Sequence, residues 1–205
     1  MVSVVLTTAV PSHAATTTYT RKVSAARFVS LSSIGLCAYV SASATATFQI
    51  ASRGGGTYSV YDKRTLSKPK VTVSFFQNKG GCSAALPPKS VTKLEMSPIW
   101  YDYRCGGDLS YQASFPWSIG VGATYSCGKV ERIWSTKSYG AGQSFSHTSE
   151  SAMAFNEDTT YWVRGYGSRP AQYFDTCFRV DVPVDAYVKN RSADAMAPLT
   201  LCTRK

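Results

Sequence analysis

Of the two histidines in this chain, His13 and His147, only the second lies outside an N-terminal apolar stretch. His147 sits in S-F-S-H-T-S-E, between serines and three residues before Glu150. A Ser-His-carboxylate triad is assembled in space from distant points of a chain, so crowding in sequence does not make one. No G-x-S-x-G elbow is present. The plainer reading of His147 is an exposed strand histidine. Two carboxylates among Asp102, Asp108, Glu131, Glu157 and Asp158 would suit glycoside hydrolysis. No spacing singles out a pair, and Glu157 and Asp158 follow Asn156 in a turn where acids are ordinary. Phosphate loops, dinucleotide motifs, calcium loops and metal-spaced His/Cys clusters are missing from the sequence. The expectation is a non-enzymatic protein with no catalytic residue, no cofactor and no metal.

The six cysteines, Cys37, Cys82, Cys105, Cys127, Cys177 and Cys202, carry the other chemistry. Their spacing is wide and irregular and contains no C-x-x-C, which argues against zinc or a redox motif. An even count behind an export signal reads as three disulfides, with all fifteen connectivities open. The signal is residues 1–14: an apolar run leads to Ser12-His13-Ala14, with small residues where signal peptidase reads. Cleavage is expected after Ala14, and the protein is expected to be secreted and extracellular. No apolar run reaches the roughly 18 residues of a membrane helix, so no stable membrane insertion is expected.

The net charge is +10, from 22 Lys and Arg against 12 Asp and Glu. Cations gather at Arg21-Lys22, Lys63 to Lys70, Lys89 with Lys93, and Arg191 to Lys205. Aromatic residues interleave elsewhere, as at Trp100-Tyr-Asp-Tyr103 and Tyr161-Trp162. Such a surface suits another secreted protein, or an anionic or glycan surface. Nucleic acid is not the expected partner of an exported chain.

The elements that must position these groups read as strands. Leu36 to Ile50 alternates throughout, with Leu36, Ala38, Val40, Ala42, Ala44, Ala46, Phe48 and Ile50 on one face. Cys37, Tyr39, Ser41, Ser43, Thr45, Thr47 and Gln49 take the other. Successive side chains of a strand point to opposite faces, which turns this pattern into one apolar and one polar surface. Tyr111 to Cys127 and Phe174 to Val188 are two further long alternators. Thr57 to Asp62 and Lys70 to Gln77 read as a strand pair joined by K-R-T-L-S-K-P-K. Gly106-Gly-Asp108 reads as a hairpin turn, Lys129 to Tyr139 as a return strand, and Phe145 to Phe155 as a strand. Tyr161 to Tyr166 follows a turn, and Ala193 to Pro198 reads as a single helical turn. Long alternators with shorter turn-bounded strands predict an all-β fold, an antiparallel β-sandwich or flattened barrel with three disulfides. The organisation expected is a signal remnant at 1–14, an N-terminal arm at 15–32, and a disulfide-stapled β domain at 33–205, with room for two sub-sheets.

Within the arm, Ala15 to Lys22 is polar, Thr-rich and precedes the first cysteine. Thr16, Thr17, Thr18, Tyr19, Thr20, Arg21 and Lys22 are the candidate partner-binding residues, because Thr and Tyr favour extended backbone that a partner can pair with. This arm, the S-I-G-L-C-A-Y-V stretch from Ser33 to Val40 and the six cysteines together resemble the adaptor subunits of bacterial umbrella toxin particles. In that family the adaptor joins a lectin subunit to a large spoked toxin subunit. The resemblance implies a secreted protein-protein adaptor linking subunits of an extracellular toxin-type complex. Two other readings stand beside it: a membrane-acting pore-forming toxin, in which Tyr111 to Cys127 would form a hairpin, and a cell-envelope glycan-binding protein.

Overall fold

The computed structural model describes residues 16–52, 57–114, 118–154, 161–164 and 177–203, with side chains for 17–49, 64–101, 132–154 and 177–203. Residues 1–15, with the expected signal and its cleavage point, lie outside the described residues. The expected all-β antiparallel class is what the structure has: twelve described strands and one short 3-10 turn. They run β1 (Thr16–Leu31), the 3-10 turn Ser32–Ile34, β2 (Leu36–Ser52), β3 (Thr57–Gln77), β4 (Lys93–Met96), β5 (Ile99–Ser114) and β6 (Ser118–Ile133). Then follow β7 (Lys137–Tyr139), β8 (Ser144–Thr148), β9 (Met153–Ala154), β10 (Tyr161–Arg164), β11 (Cys177–Val188) and β12 (Arg191–Cys202).

Two antiparallel sheets result. In the first, β1, β2 and β3 pair in sequence order, and the far edge of β3 is shared by β8, β9 and β10. In the second the order is β6-β5-β11-β4-β7, with β12 along the other edge of β11. The alternation of Leu36 to Ile50 becomes β2, and Leu36, Ala38, Val40, Ala42, Ala44, Ala46 and Phe48 are buried as that pattern predicts. From the second sheet come Trp100, Phe178, Val180, Val182, Val184, Leu199 and Leu201, which join the aliphatic residues of that row in a single apolar cluster. Each large side chain buried there contributes about 1.5–3 kcal/mol from water exclusion. Gly35 closes the turn between β1 and β2 at φ 68°, its N–H donating to the Ser32 carbonyl at 3.1 Å. Such left-handed backbone suits a residue without Cβ.

Several expectations are corrected by long-range pairing. Residues 16–31 are no free arm: they form β1, matched residue by residue from Thr16↔Ala51 to Leu31↔Leu36. The backbone donors and acceptors that an isolated arm would present to water are shared with β2 along one edge. K-R-T-L-S-K-P-K is no connection but the middle of β3. Between Ser43↔Lys70 and Thr45↔Ser67 the register shifts, and Lys68 there has φ 50°. A bulge of this kind admits Pro69, which has no N–H to donate to a ladder.

Gly106 and Gly107 do not turn the chain either; they stand opposite Ser126 and Tyr125 inside the β5–β6 pair. Tyr111 to Cys127 is accordingly two strands rather than one, parting after Ser114 and resuming at Ser118. The return strand expected over Lys129 to Tyr139 divides between β6 and β7. Ala193 to Pro198 forms no helical turn, because β12 matches β11 from Val188↔Arg191 to Cys177↔Cys202. Phe145 to Phe155 holds two short strands, β8 and β9.

Two disulfides are described. Cys37 joins Cys82 across 45 residues, and Cys177 joins Cys202 across 25, with Cα atoms 5.6 and 4.1 Å apart.

Candidate functional site: the outer face of the first sheet

The polar side of β2 looks away from the core, and register decides what stands beside it. Ser43 lies between Ser24 of β1 and Lys70 of β3, Ser41 between Ala26 and Thr72, and Tyr39 between Phe28 and Ser74. On β8, Ser146 and Ser144 continue the last two rows. Small side chains in the middle rows leave a depression of about 470 Å³, lined by Ser24, Ala26, Tyr39, Ser41, Ser43, Lys70 and Thr72 among others. At one end it is walled by aromatic rings: Tyr39 lies 4.9 Å from Phe28, which lies 5.9 Å from Phe76.

Around the depression the hydroxyls satisfy one another. Thr72 and Ser146 are 3.1 Å apart, Ser74 and Ser144 2.8 Å, and Thr20 and Thr47 3.3 Å. Ser24, Ser41 and Ser43 on its floor make no side-chain hydrogen bond with a described residue. Lys70 borders the floor, and Lys22 stands opposite Thr45, one row beyond Ser24 on the same side of β1. Among the described residues neither lysine has an acidic partner. No Asp or Glu occurs in β1, β2 or β8, and β3 holds Asp62 alone. The surface therefore offers hydroxyls, aromatic rings and unneutralised positive charge.

The candidate partner-binding residues Thr16 to Lys22 occupy the first half of β1, the edge strand of this sheet. Arg191 donates to the Ser33 carbonyl, and Arg27 to the Pro198 carbonyl at 3.2 Å. These two contacts bring β12 against the second half of β1. Thr17, Thr18, Thr20, Arg21 and Lys22 are exposed, and Val23 is buried. Among the described residues only β2 pairs with β1, so residues 16–22 keep one edge unpaired. Tyr19 packs on Phe48 at 5.7 Å, and the Arg21 guanidinium lies 6.0 Å from the Tyr19 ring centre.

His147 is not the exposed histidine expected. β8 alternates exposed and buried residues, and His147 shares the buried side with Phe145. Its ring lies 4.7 Å from Trp134, which in turn lies 5.7 Å from Trp100. Its Nδ1 is buried and has no hydrogen-bond partner among the described residues. Burial, and secondly the charge of Lys137, hold its pKa below the ordinary 6.5. Of the candidate carboxylates, Asp102 stands opposite Val130, Glu131 opposite Tyr101 and Asp108 opposite Thr124. Glu157 and Asp158 lie outside the described residues. Among the described residues no group of His, Cys, Asp and Glu is placed to hold a metal ion. No helix among them is long and apolar enough to cross a membrane.

Cys105 and Cys127 are opposed in the β5–β6 register, the same relationship that Cys177 and Cys202 have in β11–β12. The residues of the depression were not foreseen as a site. Their signal was the polar row Tyr39-Ser41-Ser43, but Ser24, Lys70 and Thr72 join it only through strand pairing.

Compared with known proteins, the chain matches no family model, no curated protein and no solved structure. The molecule is thus a disulfide-closed, antiparallel all-β protein with an edge strand that β2 alone pairs among the described residues, and a cationic hydroxyl face.

Proposed function

We propose that this chain is a secreted, non-enzymatic binding module that joins a partner protein by strand addition at β1. The observation that carries the reading is the edge of residues 16–22, which no described strand pairs. A long open edge is a template for pairing with another chain, and proteins commonly cover or blunt such edges. Among the described residues β1 pairs with β2 alone, and β12 touches its second half through Arg27 and Arg191. A partner strand would complete the hydrogen bonds of the unpaired edge, with Arg21 and Lys22 meeting acidic side chains at its margin. This role agrees with the adaptor subunits of umbrella toxin particles that the sequence resembles, where an extracellular complex is built from separate subunits.

In the same reading the two sheets are the layers of a sandwich held by three disulfides, the third between Cys105 and Cys127. Oxidised cysteine pairs suit an oxidising, extracellular compartment.

The test is hydrogen exchange on the protein with and without the partner that copurifies from culture medium. Amides of residues 16–22 should gain protection in the complex, while those of β11 stay unchanged. A truncation lacking residues 16–20 should keep the disulfides and lose the partner. Retention of the partner by the folded truncation would end the strand-addition reading.

A further inference from the structure

We infer that the depression on the outer face of the first sheet binds an anionic polysaccharide. The inference concerns the face of β1–β3 rather than the β1 edge, so it stands or falls independently of the strand-addition reading. Three features converge on this ligand. Ser24, Ser41 and Ser43 present hydroxyls that no described residue engages, on a floor of about 470 Å³. A saccharide, dense in hydroxyls that both donate and accept, is the ligand such a floor pairs with. Tyr39, supported at 4.9 Å by Phe28, supplies an aromatic wall with a polar tip, suited to a ring with one apolar face.

Charge chooses among saccharides. Lys22 and Lys70 flank the floor from opposite sides of β2; β1, β2 and β8 contribute no carboxylate, and β3 contributes Asp62 alone, eight residues before Lys70. A neutral glycan would leave both ammonium groups unused. An acidic one places carboxylate or sulfate groups against them in charge-assisted hydrogen bonds, roughly twice as strong as neutral ones. The depression spans β1, β2 and β3, which suits a polymer lying across the strands.

The experiment is calorimetric titration of the full chain with oligogalacturonate, dextran sulfate and unsubstituted dextran. One or both acidic polymers should bind, and at least about tenfold more tightly than neutral dextran. Lys70→Ser and Lys22→Ser should each weaken binding several-fold. Lys189→Ser, the same charge change on the β11–β12 turn, should leave it unaltered. Ser41→Leu fills the floor without changing charge and should abolish binding; Ser24→Leu on the edge strand is the second such variant, and melting curves verify the folding of both. Equal affinity for dextran, equal loss in Lys189→Ser, or full binding by the folded leucine variants would overturn the proposal. Capture by phosphatidylglycerol vesicles with no binding of either acidic polymer would overturn it in favour of a lipid surface.

Discussion

The imidazole of His147 lies 4.7 Å from the indole of Trp134, their planes inclined at 59°. Trp134 is held by its backbone N–H donating to the Pro98 carbonyl at 3.0 Å, where the chain leaves β6 beside the start of β5. His147 sits on β8, opposite Val71 of the first sheet. The pair thus ties β8 to the far end of β6, and the neutral imidazole is part of the tie.

Protonating that imidazole puts a charge where Nδ1 has no partner and Lys137 repels it. The folded pKa is depressed, so the folded state binds the proton less well than the unfolded chain. Stability is therefore complete above the ordinary value of 6.5 and is lost as pH falls from there through the folded value. Thermal midpoints measured from pH 8 to pH 5 should fall, and His147→Leu should flatten the decline. An unchanged slope in that variant would remove His147 from the explanation.

A second titration has the opposite sign. Asp185 of β11 stands between Asp194 of β12 and Glu95 of β4. Burial first, then Asp194 and Glu95, raise its pKa above 3.8. A raised folded pKa gives stability that is full below the unfolded value and lost as pH rises through the folded one. Asp185→Asn should thus stabilise at pH 7, by roughly 0.2–1 kcal/mol, the scale of cross-strand charge pairs. The gain should shrink toward pH 3, as urea titrations at both pH values would reveal.

Gly142 exchanges hydrogen bonds with Val91, its N–H to the Val91 carbonyl at 3.0 Å and the reverse at 2.8 Å. A Cβ on Gly142 would come within 2.8 Å of Phe145 Cζ. Phe145 is itself packed on Phe75 and Tyr139, at 6.2 and 5.3 Å between ring centres. Gly142→Ala should cost about 1–3 kcal/mol, the usual range for overpacking, and chemical denaturation should show it. A neutral result would mean that the ring yields freely.

Lys68 carries the bulge of β3 at φ 50°. Left-handed backbone costs an L-residue about 1–2 kcal/mol relative to glycine-like freedom. Lys68→Gly should be neutral or stabilising, and Lys68→Val should destabilise, because a β-branched side chain tolerates that backbone least. Thermal melts of the two variants should separate in that order.

Cysteine mapping tests the third bond. Protein alkylated before reduction should show no labelled cysteine, and proteolysis should release Cys105 and Cys127 in one linked pair. Label on both residues in unreduced protein would leave the fold with the two described bonds alone.

The strands β2 and β11 were legible from sequence because alternation is a local property: each residue's face follows from its neighbour's. The burial of Leu36, Ala38, Val40, Phe178, Val180 and Val182 is that pattern realised. The polar outer face of β2 was legible for the same reason. What failed was punctuation. Gly106-Gly107, Lys68-Pro69 and the run Ala193 to Pro198 carry local signals for turns. Each is overruled by a strand opposite it that supplies hydrogen bonds along its whole length.

Residues 16–22 show both sides of this division. Their extended, polar character belongs to the sequence, whereas their pairing with β2 and the bare outer edge belong to the fold. His147 was misread because S-F-S-H-T alternates either way up, and only the docking of β8 on β3 turns His147 and Phe145 inward. Ser24, Ser43 and Lys70 are far apart in the chain and form one row only through register. Side-chain alternation is dictated within a strand by backbone geometry; which strands face each other is settled by burial and backbone hydrogen bonding over the whole molecule, and the depression, the open edge and the cysteine pairs were decided there.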